Sequence, residues 1–121
     1  MVAIQAIETA DRLRPNSIPK EDKVQWLHNF ETRRYNEVYS LHKEHPKQFT
    51  TLYNFSQSTQ LFMNEPYNEA YVLYLCSMID FFNAEYDRYN NDVLLLESLY
   101  SDYKKYYNSR YKSLQDTLIT G

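Results

Sequence analysis

The sequence predicts an all-α fold: a small bundle of about four helices, one short and N-terminal, two of medium length and one long and C-terminal, with an irregular segment at about 45–65. Three observations carry this. Leu96, Tyr100, Tyr103, Tyr107, Tyr111, Leu114 and Leu118 follow one another at three- and four-residue steps, the spacing of a helical seam. Gly121 is the only glycine in 121 residues, which disfavours tight hairpins whose turns need positive φ. The interruptions in the apolar pattern are marked instead by proline and asparagine.

Ala3, Ile7, Ala10 and Leu13 place the first helix at 3–13. Arg14-Pro15-Asn16-Ser17-Ile18-Pro19 ends it, because the residue before a proline is driven out of the helical region. Pro19 opens the second helix, about 19–43, where a missing N–H loses nothing, and Glu21 and Asp22 suit its positive end. Val24, Leu27, Phe30, Val38 and Leu41 form an apolar face, with Arg34 filling the gap and Trp26 beside it. Lys23, Glu31, Arg33 and Glu37 are expected to cover the outside. The 45–65 segment is rich in Ser, Thr, Gln and aromatic residues, and Leu61-Phe62-Met63 anchors its return to the core.

Pro66 opens the third helix, about 66–88. From Ala70 to Phe82 it is apolar almost all round, as a helix central in its own bundle or buried between subunits would be. Tyr89-Asn90-Asn91-Asp92 reads as a tight turn, or else a kink in one long helix. The fourth helix then runs about 92–118, some 40 Å at 1.5 Å per residue, and residues 110–121 form a candidate protruding docking segment.

Composition describes one domain, 1–121, with 43% hydrophobic and 24% charged residues. Without internal glycine, phosphate-cradling loops are excluded. The lone Cys76 can make neither an internal disulfide nor a multi-cysteine zinc site; it reads as a buried small hydrophobe in a reducing compartment. A net charge of −3 argues against a basic protein coating DNA. No signal-peptide h-region opens the chain, and the apolar run around Asp80 is too short to span a bilayer, so no membrane association is expected.

Few residues suggest chemistry. His42 and His45 flank Glu44, but Pro46 ends the helix there and no third ligand is placed, with His28 about four turns earlier; no metal site is expected. Asp80, inside the apolar run, is expected to pair with an Arg or a Tyr hydroxyl on another helix. No serine lies in a nucleophile setting, so neither catalysis nor a cofactor is expected. Residues 85–102 carry five acids and one base, whereas 103–112 carry Lys104, Lys105, Arg110 and Lys112 and no acid. Such polarity, with 13 tyrosines, suits subunits that repeat against one another.

Arg14-Pro15-Asn16, then Lys23-Val24 and Trp26-Leu27, resembles the N-terminal signature of the small head–tail connector (adaptor, or head-completion) proteins of long-tailed bacteriophages. Glu65-Pro66-Tyr67-Asn68-Glu69, with Tyr71, Tyr74, Ile79-Asp80, Asn83, Glu85 and Tyr89-Asn90-Asn91, resembles the middle of that family, and Tyr107-Asn108 with Arg110 its end. The resemblance spans about residues 10–112; the chain departs from it at Pro19, where relatives more often carry a Ser or Thr cap, and after Arg110, where helical spacing continues. It implies a helical virion protein of the neck, assembled in the host cytoplasm as a ring of about twelve copies beneath the portal protein. The ring would extend the DNA channel without sequence-specific binding and receive the next neck or tail-side protein, with no catalysis and no cofactor. Trp26, Tyr67, Tyr71, Asp80, Tyr86, Tyr89, Asn90 and Asn91 are then expected in the core or subunit seam, and Lys104, Lys105, Arg110, Tyr111 and Lys112 in portal or neighbour contact. The other reading is a small cytoplasmic helical module that contacts protein or nucleic acid through its Tyr/Lys-rich C-terminal helix.

Overall fold

Ala3, Ala6, Ile7 and Ala10 recur at three- and four-residue steps and are buried together on one face of α1 (Ala3–Leu13). A computed structural model describes residues 1–41 and 53–110. After α1 come α2 (Lys20–Glu37), a 3-10 turn (Tyr39–Leu41), α3 (Glu69–Phe82) and α4 (Tyr86–Arg110). The described residues form an all-α bundle of four helices, as the periodicity predicts. His42, His45 and the start of the 45–65 segment lie outside the described residues, as do Tyr111, Lys112 and the rest of the 110–121 segment beyond Arg110.

The N-terminus of α1 has no Ser, Thr, Asp or Asn to cap it. The irregular segment does so instead: Ala3 N–H donates to the Thr59 carbonyl (2.9 Å) and Ile4 N–H to that of Gln57 (2.8 Å). Leu61 N–H returns a bond to the Met1 carbonyl (2.9 Å), and buried Leu61 and Met63 seat the segment in the core.

The buried stripe of α2 departs from the expected one. Leu27, Phe30, Arg34 and Val38 are buried, but so are Lys23 and Glu31, which the sequence pattern puts on the outside, whereas Leu41 is exposed. Lys23 turns inward because Asp11 of α1 takes its ammonium at 2.7 Å, and Glu31 because it anchors α3 and the chain at 62. The helix also stops at Glu37 rather than near 43, and Pro19 stands at the N-cap, one place before the first helical residue.

α3 is central within its own chain, lying against α1, α2 and α4. Apart from half-buried Leu73 and Met78 it is buried from Ala70 to Asp80. It starts at Glu69, after a turn at 65–68, rather than at Pro66.

The break between α3 and α4 departs furthest from the sequence pattern. It falls at residues 83–85, and Tyr89-Asn90-Asn91-Asp92 lies inside α4. Ala84 takes φ +59°; its N–H bonds to the Phe81 carbonyl (3.1 Å) and Glu85 N–H to that of Asp80 (2.8 Å). That is the Schellman stop, which glycine usually serves. Here alanine serves it, so the usual marker is missing. From Tyr86, α4 rises about 37 Å to Arg110.

Candidate functional site

Three polar clusters tie the elements together. At the first, Arg14, just past the end of α1, spans two carboxylates with one planar guanidinium. Nε donates to Asp80 Oδ2 at 3.0 Å and Nη2 to Asp92 Oδ1 at 3.2 Å, and the two Asp side chains are only 2% and 6% exposed. The hydrogen bond to Asp80 raises the Arg14 pKa further, so the guanidinium stays charged. Burial, then the neighbouring Asp80, pushes the Asp92 carboxyl upward, and its Oδ2 is buried with no hydrogen-bond partner among the described residues. Alongside, Asn16 Nδ2 and Lys23 Nζ both donate to Asp11 Oδ1, at 3.0 and 2.7 Å. Burial pushes the nearby Cys76 thiol up to about 11, which leaves it protonated and inert.

The second cluster centres on Glu31. Tyr71 Oη donates to its Oε1 at 2.8 Å, and Phe62 N–H donates to its Oε2 at 2.9 Å; Tyr71 Oη in turn accepts Met63 N–H at 2.8 Å. Burial outweighs these hydrogen bonds and pushes the carboxyl up to about 7.

The third joins α2 to the tyrosine seam of α4. Tyr39 and Tyr103 share a buried hydroxyl bond of 2.6 Å, and Tyr100 Oη donates to Glu37 Oε2 at 2.9 Å. The Arg34 guanidinium lies between the Phe30 ring (4.2 Å) and the Tyr100 ring (4.0 Å). Tyr107 packs edge-on against Tyr39 at 4.9 Å.

The seam and contact residues singled out from sequence are distributed as follows. Tyr71 and Asp80 are core. Trp26, Tyr67 and Tyr89 are half-buried, Tyr67 against Tyr103 and Tyr106 and Tyr89 against Phe81. Tyr86, Asn90 and Asn91 are exposed. Lys104, Lys105 and Arg110 all point outward, Lys104 over the edge of the Tyr100 seam at 5.0 Å. Among the described residues, these side chains are spread over the core and the surface of the bundle. An open groove of about 590 Å³ along α1, lined in part by Gln5, Glu8, Thr9, Arg12 and Glu65, presents no activated nucleophile, since the Thr9 hydroxyl donates to the Gln5 carbonyl.

Sequence reasoning missed Glu31, Asp92 and Tyr39. For Asp92 a signal existed: 92, 96, 100, 103 and 107 continue the seam spacing backward through the supposed turn. For Glu31, adjacency to Phe30 on the inner face was the only hint.

Besides Leu41 and Tyr53, exposed large apolar side chains lie in two regions among the described residues. Phe81, Phe82 and Tyr86, between 56% and 68% exposed, surround the tip of the α3–α4 hairpin, with Leu13 exposed at the nearby end of α1. Leu94 and Leu95 sit side by side midway along α4. Among the described residues, no group of His, Cys, Asp and Glu could hold a metal ion, and no helix is long and apolar enough to cross a membrane. Compared with protein-family models, curated proteins and solved structures, the chain matches none.

Proposed function

We propose that this chain is a virion structural subunit, a head–tail connector that assembles as a ring beneath the portal, extends the DNA channel and receives the next neck or tail-side protein. The observation that supports it best is the apolar tip of the α3–α4 hairpin. Phe81, Phe82 and Tyr86 are each more than half exposed and Phe81 packs edge-on against Tyr86, an apolar group on the surface of the kind a subunit awaiting a protein partner presents. Four of the residues that carry the family resemblance fall into the clusters that hold the bundle together: Arg14 and Asp80 with each other, Asn16 with Asp11, and Tyr71 with Glu31. They are architectural, which fits a protein whose task is shape. The outward Lys104, Lys105 and Arg110 are the contact candidates for portal or neighbour.

The nucleic-acid form of the other reading is less favoured. Tyr100, Tyr103 and Tyr107 are buried in the seam, so their faces are not open to bases.

Mass measurement of the chain alone, and mixed with the portal encoded in the same gene cluster, tests the proposal. A ring of about a dozen copies, alone or only on the portal, is the expected result. A chain indifferent to the portal overturns it.

A further inference from the structure

The outer face of α4 carries a second pattern, unrelated to its buried seam. Arg88, Asn91, Leu95, Ser98, Asp102 and Lys105 succeed one another at steps of three and four, and each is exposed. Leu95 is 58% exposed and its neighbour Leu94 65%. Neither Arg88 nor Asp102 enters an ion pair within the subunit, among the described residues.

The pattern complements itself when reversed. Arg88 stands seven residues before Leu95 and Asp102 seven after it, about 10.5 Å to either side. Glu85 stands ten before and Lys105 ten after. Asn91 and Ser98 fall opposite one another within a single residue, and both are small enough to let two helices approach to about 8–10 Å. Laid antiparallel about Leu95, two copies of α4 set each Arg88 on the other's Asp102, and bring each Lys105 toward the other's Glu85 just before the helix, with the leucines meeting at the axis. Laid parallel and in register, they would set like charge on like.

We propose that this stripe is a contact for a second copy of the chain, packed antiparallel with the twofold axis at Leu95. A contact of this kind uses the same patch on both partners and closes on itself as a dimer. It is a form of the free chain, and it does not rest on the connector reading, whose ring needs two different patches.

Sedimentation of the full chain over a concentration series tests it, with circular dichroism melts as the control for folding. The wild type is expected to pass from monomer to dimer. Arg88→Asp alone and Asp102→Arg alone should each weaken the dimer by at least about tenfold, because each places two like-charged pairs in the contact. The double variant, with both changes, should recover it, and Leu95→Ser should abolish it while its melt, read at a concentration where the wild type is monomeric, stays unchanged. A wild type that stays monomeric, a dimer insensitive to the single reversals, or a double variant without recovery overturns the proposal. A ring built directly from monomers, with no dimer below it, overturns this inference and supports the proposed function. A dimer obeying the charge swap but indifferent to the portal does the reverse.

Discussion

Ala84 occupies the left-handed region at φ +59°, where its Cβ crowds the following carbonyl. Glycine has no Cβ to crowd, although its freer unfolded chain returns part of the gain. Ala84→Gly should therefore raise stability by about 0.5–1 kcal/mol, seen as a rise of a few degrees in Tm; a fall would mean that the Schellman stop is not formed. At Glu31 the sign of the pH dependence follows from burial. Its carboxyl rises from 4.5 to about 7 in the fold, so between those values the folded chain holds a proton that the unfolded chain releases. Its contribution is complete below pH 4.5 and is lost as pH climbs through about 7, on the order of 3 kcal/mol in all. Asp92, also raised, acts in the same direction. Tm should fall from pH 5 to about 7.5, and Glu31→Gln should flatten the slope; a wild-type Tm that climbs over this range would show Glu31 ionised in the fold.

At the scale of elements, polar groups reach across the shared apolar core and tie the helices to one another. Arg14 ties the end of α1 to α3 and α4 together, and removing it leaves two buried carboxylates facing each other. Arg14→Ala should cost about 3 kcal/mol in urea denaturation. Arg14→Lys should recover less than half of that, because one ammonium cannot serve both carboxylates with the geometry of a fork. The Tyr39–Tyr103 hydroxyl bond joins the 3-10 turn to α4. Tyr103→Phe should cost about 1 kcal/mol, and the double variant with Tyr39→Phe should cost less than the sum of the two single losses, because both changes remove the same bond. Near-additive losses would show that the two hydroxyls act separately.

For the whole molecule, the expected behaviour turns on its surface. Phe82, at 68% exposure, contributes little to the fold, so Phe82→Ser should leave the melt within about 0.5 kcal/mol of wild type. The same change should reduce ring formation on the portal if the hairpin tip is the apolar contact, as mass measurement of the mixture would reveal. A variant that loads the portal as well as wild type would move the contact to the basic end, at Lys104, Lys105 and Arg110. Cys76 should resist thiol reagents in the folded chain, consistent with its burial and raised pKa.

The sequence by itself determined the helical class, the burial of one alanine-lined face on α1, and the tyrosine seam through Tyr100, Tyr103 and Tyr107. These are periodicities, and a periodicity is a property of consecutive residues that no other part of the chain need be known to read. Tertiary structure alone decided that Asp80 would meet Arg14, 66 residues away, and that Asp92, 78 away, would share the same guanidinium. It turned Glu31 and Lys23 inward, since only the fold brings Tyr71, Phe62 and Asp11 close enough to satisfy them. It also placed the α3–α4 stop on an alanine, because the packing of two long helices holds a backbone angle that local preference resists.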